Sequence, residues 1–346
     1  EQGDFASGTS SKTSKLIHGG LRYLEHGQVS LVRESLRERR ILRTIAPTLV
    51  EPLSLLLPIF EQDARPPWKI RLGLGVYGWL AGGDPLRGTG MVSPRRAVTL
   101  EPSLRVRGLR SAGLYTDGLM DDARLCLANI LQAVDLGAVC CNYVRLRAFL
   151  RAGGRLCGGI GEDLLSGRSC EVQATVVVNA TGPWGDRLRR MSDPNATVRL
   201  APTKGSHLVL RRVIRHGLFV QARSDRRMLF VLPWGDLTLV GTTERPVGES
   251  LEALRATRDE VDYLLEEVNR ALPEARLTDA DIVGTFAGAR PLLMFRGSAG
   301  AASREHRIEV DRGGLVSVLG GKYTTYRRMA QQTVEVLMRR QRWVVG

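Results

Sequence analysis

The run Ala174-Thr-Val-Val-Val-Asn-Ala180 constrains this chain more than any other segment. Thr175 to Val178 are all β-branched, which favours extended backbone. A continuous apolar run without polar alternation predicts a strand buried on both faces, as in a parallel sheet. Thr181 and Gly182 follow at once, small residues that let a flat group or a pyrophosphate approach the backbone. Taken alone, the same residues fit a plain strand-to-turn junction; Pro183-Trp184 makes the motif more specific.

Other segments supply a mixed set of elements. Ser30 to Ala46 carries Leu31, Val32, Leu36, Leu42 and Ile45 among arginines and predicts an amphipathic helix ending before Pro47. Leu53 to Ile59 predicts a strand, and Asp121 to Leu136 a helix with acids in its first turn and Gly137 after its end. A hairpin-like stretch surrounds Gly153, Gly154 and Gly167. From Thr203 to Thr243 apolar and polar residues alternate between turn signals, which predicts antiparallel strands. Asp259 to Ala271 predicts a helix, and Gly314 to Leu319 a strand leading through Gly320-Gly321 into a terminal helix. Parallel elements interleaved with an antiparallel block predict two domains, one interrupted by the other.

Composition narrows the function classes. A chain of 346 residues with 43% hydrophobic and 25% charged residues is an ordinary globular sequence. It contains no apolar run near the roughly 20 residues needed to span a bilayer. Five cysteines without a C-x-x-C pair argue against a disulfide framework or a zinc site, and five scattered histidines show no metal-ligand spacing. The expectation is a reducing cytoplasm and no metal. A net charge of +14 points to an anionic partner, which charge alone leaves open between nucleic acid, membrane and a phosphorylated substrate. No nucleic-acid motif accompanies the charge.

Gly73-Leu-Gly-Val-Tyr-Gly78 matches the dinucleotide pattern, but it follows Pro66-Pro67-Trp68, a helix start, so it reads as a decoy. Gly320-Gly-Lys-Tyr-Thr-Thr-Tyr-Arg327 has the composition of a strand–loop–helix cradle in which backbone N–H groups and a helix N-terminus face an anion. Its spacing is not that of a Walker loop. Ser10 to Tyr23 gathers hydroxyls, Lys12, Lys15, His18, a glycine pair and Arg22, equally the composition of a polar loop without function. Lys204-Gly-Ser-His207, Pro233-Trp234, Gly241-Thr-Thr243 and Gly288-Ala-Arg-Pro291 complete the set. His207 and Arg290, each alone, fit a structural role as well as a chemical one.

Taken in chain order, Ser11 to His26, Asp121 to Leu125, Val178 to Trp184, Lys204 to His207, Leu232-Pro-Trp234 followed by Gly241-Thr-Thr243, Gly288 to Leu292 and Gly320 to Arg327 make the chain resemble the FAD-dependent, respiratory glycerol-3-phosphate dehydrogenases over nearly its whole length. Glu244 stands where that family usually has Asp after its GTT motif. The resemblance implies an α/β fold: a glutathione-reductase-like FAD-binding domain (1–42, 119–201, 304–346) with an inserted antiparallel-sheet α+β substrate domain (43–118, 202–303). It also implies that the first nucleotide-binding strand and its glycine loop precede Glu1, which would bind the adenosine ribose. A helical C-terminal domain would lie beyond residue 346.

Carried over residue by residue, the resemblance places the flavin ring against Ser10, Ser11, Thr13, Ser14, Lys15 and His18. Thr181 and Gly182 would approach the nucleotide, and Gly321, Lys322, Tyr323 and Thr324 the flavin edge. Arg22, Tyr23, Arg290, Arg304 and Lys322 would hold a phosphate dianion, for which planar guanidinium groups are suited. His207 would be the general base, since an unperturbed imidazole pKa near 6.5 suits proton abstraction at neutrality, and Arg290 would steady the developing alkoxide. The implied partners are glycerol 3-phosphate, a quinone acceptor, an anionic membrane surface at its cytoplasmic face and a second copy in a homodimer. Two further readings stand beside this one: another FAD-dependent oxidoreductase of the same fold, and a non-catalytic remnant.

Overall fold

The structure, a computed structural model, describes residues 1–63, 65–82, 89–247, 250–294 and 305–341. Its centre is a ten-stranded sheet. Leu16–Ile17, Leu109–Met120, Val50–Phe60, Gly217–Gln221, Met228–Trp234, Leu237–Gly241, Thr203–Arg211 and Arg245–Pro246 lie side by side in that order. Ile282–Arg290 also pairs with Thr203–Arg211, and Gly90–Val92 with Leu109–Met120. All pairings are antiparallel except that of Val50–Phe60 with Gly217–Gln221.

The two faces of this sheet bury different cores because side chains alternate along a strand. Leu208 and Leu210 join Leu218, Val220, Val231, Val240 and the helix residues Leu264 and Val268. Val209, on the opposite face, joins Leu55, Leu57, Phe219, Leu232, Leu239 and Leu74 of the helix Pro67–Leu80. His207 therefore shares the second face, whose margin includes Phe230, Trp234, Phe286 and Tyr23.

Local signals place most helices. Val29–Ile45 stops where Ala46 precedes Pro47, burying Leu31, Val32, Leu36 and Leu42 on one side. Asp121 caps Asp122–Asp135 by accepting from the Arg124 N–H, and Gly137 beyond its end takes φ +92°. The decoy glycines Gly73, Gly75 and Gly78 lie inside Pro67–Leu80, which has Pro67 in its first turn. Gly153 and Gly154, both at positive φ, turn Val144–Ala152 back onto Arg155–Asp163.

Two expectations change. Leu109–Met120, the longest strand of the large sheet, escapes a reading by pattern because Gly113 and Gly118 interrupt its apolar residues. Neighbours pack closely over both glycines: a Cβ on Gly113 would lie 2.9 Å from Leu74 Cδ1, and one on Gly118 would lie 3.0 Å from Val50 Cγ1 and 3.2 Å from the Ile17 carbonyl oxygen, so a side chain at either would make those neighbours shift. The run 174–180 is the opposite case. Only Val178–Asn179 is strand, at the edge of a three-stranded sheet, parallel to Val316–Gly320, which pairs in turn with His306–Val310. Val178 is 40% exposed while Asn179 is buried. Apolar composition signals a demand for burial; neighbouring elements decide whether it is met, and among the described residues one strand lies beside it.

Candidate active site

The N-terminal loop reaches the sheet through a buried ion pair. Thr9–Ser11 forms a short 3-10 turn, Lys15 takes a left-handed φ of +56°, and Leu16–Ile17 then pairs with Gly118 and Leu119. The left-handed step turns the Lys15 ammonium inward, 2.5 Å from Asp122 Oδ1 and 2.7 Å from the Ser11 carbonyl. The other Asp122 oxygen accepts from the Thr13 hydroxyl at 2.7 Å and the Thr13 N–H at 3.2 Å. Asp122 opens the helix Asp122–Asp135, where the positive end of the helix dipole favours a carboxylate. The ammonium also lies 5.2 Å from the Trp234 ring centre and 5.4 Å from that of Phe286.

His207 is held by three strands. Its ring stacks on Phe286, its register partner, at 4.8 Å between centres. On the other side it covers Gly241, where a Cβ would lie 2.2 Å from the ring, so any side chain there displaces the imidazole. His207 Nε2 is 2.9 Å from Ser14 Oγ, and Nδ1 is buried without a hydrogen-bond partner among the described residues.

Burial, then the charges of Arg290 and Lys15, push the His207 pKa down to about 3. Against the unperturbed imidazole value near 6.5, the shift is downward and favours the neutral ring at pH 7. Because its folded pKa lies below the unfolded value, His207 contributes stability that is full above about pH 6.5 and is lost as pH falls toward 3. The slope is at most about 1.4 kcal/mol per pH unit. We predict that His207→Gln flattens this part of the acid-unfolding curve; parallel wild-type and variant denaturant midpoints from pH 6.5 to 4 would refute it.

Arg290 ends the strand Ile282–Arg290 and lies across Gly205, where a Cβ would be 2.5 Å from its guanidinium. It donates to Thr242 Oγ1 at 2.8 Å and to the Thr243 carbonyl at 3.3 Å. The segment Thr9–Ser14 packs against the same strand: Thr9 Oγ1 donates to the Ala289 carbonyl, and Gly288 leaves room for Lys12.

The C-terminal glycine loop closes on these elements. Gly320 and Gly321 take φ +75° and +86°, turning Val316–Gly320 into the 3-10 turn Tyr323–Thr325 and the helix Tyr326–Gln341. A Cβ on Gly320 would lie 2.5 Å from the Glu305 carbonyl oxygen, so the turn is reserved for glycine. Thr324 Oγ1 accepts from the His18 N–H, the Tyr323 hydroxyl donates to the Asp122 carbonyl, and Lys322 Nζ lies 5.0 Å over the Tyr23 ring. Arg22 is exposed on the 3-10 turn Leu21–His26 that carries Tyr23. Beneath that turn the Gly19 N–H donates to Tyr77 and Asp117, and Asp117 is paired with Arg39.

Ser10, Ser11, Thr13, Ser14, Lys15, His18, Lys322, Tyr323 and Thr324 thus belong to two loops in contact, with His207 and Arg290 on the sheet face beside Ser14 and Lys15. Thr181 and Gly182 stand apart at the end of Val178–Asn179, where Thr181 N–H and Oγ1 both donate to Asn179 Oδ1. Gly8, whose added Cβ would be 3.6 Å from Trp184, links that motif to the N-terminal loop. Glu1 runs beside 141–144, its ammonium donating to the Cys141 carbonyl and its carbonyl accepting from Val144. Arg304 lies outside the described residues. Sequence reasoning assigned no role to Asp122, Phe286, Trp234 or Thr242; Asp122 lies in a quoted motif, but nothing local signals that it meets Lys15. No group of His, Cys, Asp and Glu that could hold a metal occurs among the described residues.

A flat, hydrogen-bonding cofactor fits this cradle: glycines in left-handed conformations, a hydroxyl-bearing loop and a helix N-terminus converge on it. The chain belongs to the FAD-dependent oxidoreductases, whose family profile matches residues 1–327; FAD is the cofactor of that family. It is 38% identical to a glycerol-3-phosphate dehydrogenase of Synechocystis, over 97% of this chain and 64% of that protein. Its identity to the aerobic glycerol-3-phosphate dehydrogenase of Bacillus subtilis is 36%, over 97% and 61% of the two chains. The crystal structure of the glycerol-3-phosphate dehydrogenase of Bacillus halodurans with FAD superposes at a TM-score of 0.81 and 31% identity, covering 100% of this chain and 60% of that one. The chain therefore spans under two thirds of each of these three proteins.

Proposed function

We propose that this chain carries the site that oxidises sn-glycerol 3-phosphate at C2 to dihydroxyacetone phosphate. The observation that carries the reading is geometric: the buried imidazole of His207 places Nε2 2.9 Å from Ser14, on the loop that would face the flavin, on the sheet face that also carries Arg290. FAD, when bound, supplies the hydride acceptor. Arg290, with Arg22, Arg304, Tyr23 and Lys322, holds the phosphate and the developing alkoxide. His207 takes the C2 hydroxyl proton at Nε2, the nitrogen facing Ser14, with its own proton then on Nδ1. A dianion arriving between Arg290 and His207 offsets the cationic field and raises the imidazole's proton affinity, so substrate binding itself readies the base. Ser10, Ser11, Thr13, Ser14, Lys15 and His18, with Gly321 to Thr324, hold the flavin ring; Thr181, Gly182 and Glu1 hold its nucleotide.

In this reading residues 1–42, 119–201 and 304–346 form the flavin part and the remainder the substrate part. Similarity to glycerol-3-phosphate dehydrogenases and the motif order support the substrate. The test is the visible spectrum of the protein incubated with FAD and then with substrate. Bleaching by glycerol 3-phosphate but not by glycerol or amino acids is expected; bleaching by an amino acid alone would replace this reading with amine oxidation.

Electrons would leave to a quinone at an anionic membrane surface. In support, Trp68 (67% exposed), Leu72 (62%) and Trp79 (78%) share one face of Pro67–Leu80, a helix carrying Lys69 and Arg71 and no acidic residue. Exposed tryptophans with basic neighbours suit a headgroup region. Among the described residues no helix is long and apolar enough to cross a membrane, so this contact would be superficial. We predict that the double substitution Trp68→Ala, Trp79→Ala reduces co-sedimentation with phosphatidylglycerol vesicles at least about tenfold. Undiminished binding would remove this helix from the membrane contact.

A further inference from the structure

Alternation along Thr203–Arg211 sends Gly205 and His207 to the site and Lys204 and Ser206 to the other face, against the helix Arg258–Ala271. There Glu260 is fully buried. Its Oε1 accepts from the Thr243 hydroxyl at 2.7 Å, and its Oε2 accepts from the Ser206 hydroxyl at 2.8 Å and the Thr257 N–H at 3.0 Å. Lys204 Nζ is 3.1 Å from Oε2. Thr243 Oγ1 in turn accepts from the Ser206 N–H, and the Thr243 N–H donates to the Ser206 carbonyl.

Thr243 faces both ways. Its side chain is tied to Glu260, and its carbonyl, with the Thr242 hydroxyl, receives Arg290. Ser206, tied to the same carboxylate, is the residue before His207. We infer that Glu260 is a positioning residue: from behind the sheet it fixes Thr243 and Ser206, and through them the placement of the Arg290 guanidinium relative to His207. Burial would raise the Glu260 pKa, but hydrogen bonds from Thr257, Thr243, Ser206 and Lys204 outweigh it and hold it at about 2, so the clamp stays ionised. A helix cap needs only the Thr257 contacts; the ties to Thr243 and Ser206 go beyond it.

The inference rests on the substrate reading above, and the experiment separates the two. Glu260→Gln leaves Lys204 buried beside a neutral amide, so Thr243 is the cleaner position. Glycerol 3-phosphate is titrated calorimetrically into wild type, Thr243→Val, Thr243→Ser, Arg290→Gln and the Thr243→Val, Arg290→Gln double variant, at equal folded concentration. The KM and kcat of the flavin-loaded proteins are read alongside. We expect Thr243→Val to weaken binding and raise KM about tenfold or more, Thr243→Ser to match wild type, and the double variant to bind no worse than Arg290→Gln. If Arg290→Gln weakens binding while Thr243→Val does not, or if the two losses add, the positioning role is overturned and the substrate reading stands. If Arg290→Gln binds like wild type, the assignment of Arg290 falls and the inference falls with it.

Discussion

On the function proposed above, replacing His207 with glutamine lowers turnover of glycerol 3-phosphate by about 10²- to 10⁴-fold, the usual contribution of a positioned general base. Glutamine keeps a polar group near Ser14 but cannot take up the substrate proton. The environment sharpens the expectation. In the substrate-free protein, burial and the Arg290 and Lys15 charges hold the imidazole near pKa 3, so His207 itself imposes no inflection near pH 6.5 on kcat/KM. Its titration becomes visible in kcat, which reports the substrate complex, if the phosphate dianion restores its basicity. Steady-state profiles from pH 5 to 9 for both proteins test this. A variant with wild-type kcat and an unchanged profile removes His207 from the chemistry and leaves it as the packing partner of Phe286 and Gly241.

Asp122→Ala costs about 3–5 kcal/mol of stability, because it leaves the Lys15 ammonium buried without its counterion. The loss reaches the site as well as the fold. Asp122 holds Thr13 by side chain and backbone and Lys15 by its ammonium, so it fastens the segment that carries Ser14 to His207. Asp122→Asn, which keeps a carbonyl acceptor at that place, falls between the two. Denaturant unfolding gives the ordering wild type, Asn, Ala. An alanine variant within about 1 kcal/mol of wild type would show that Lys15 finds water once the carboxylate is gone, and that the pair is ornamental to stability.

The two substitutions probe different levels of legibility. His207 is a candidate from its motif, but its burial, and with it the downward shift of its pKa, is not legible in the sequence. Asp122 is visible in the sequence as an acid in the first turn of a helix and as part of a motif, with no role attached. That it meets Lys15, 107 residues away, depends on the left-handed turn at Lys15 and on how Leu16–Ile17 docks against Leu109–Met120. The strand Leu109–Met120 is itself hidden by glycines over which its neighbours pack closely. The run 174–180 departs in the other direction, being apolar enough for a buried strand yet only partly buried where a single strand adjoins it.

The sequence by itself determined what acts within a few residues. Asp121 and Gly137 bound one helix, Thr257 and Glu260 cap another, Pro47 stops a third, and Gly153-Gly154 turns a hairpin, because caps and turns need only neighbouring backbone. The order of motifs added the family. Tertiary structure alone decided which of those residues meet: Ser14 with His207 across 193 positions, Thr9 with Ala289 across 280, and Glu260 with Thr243 through the back of a sheet. Such pairings follow from strand register and from which face each side chain occupies. A shift of one residue in register would reverse every assignment, and no local signal specifies that register.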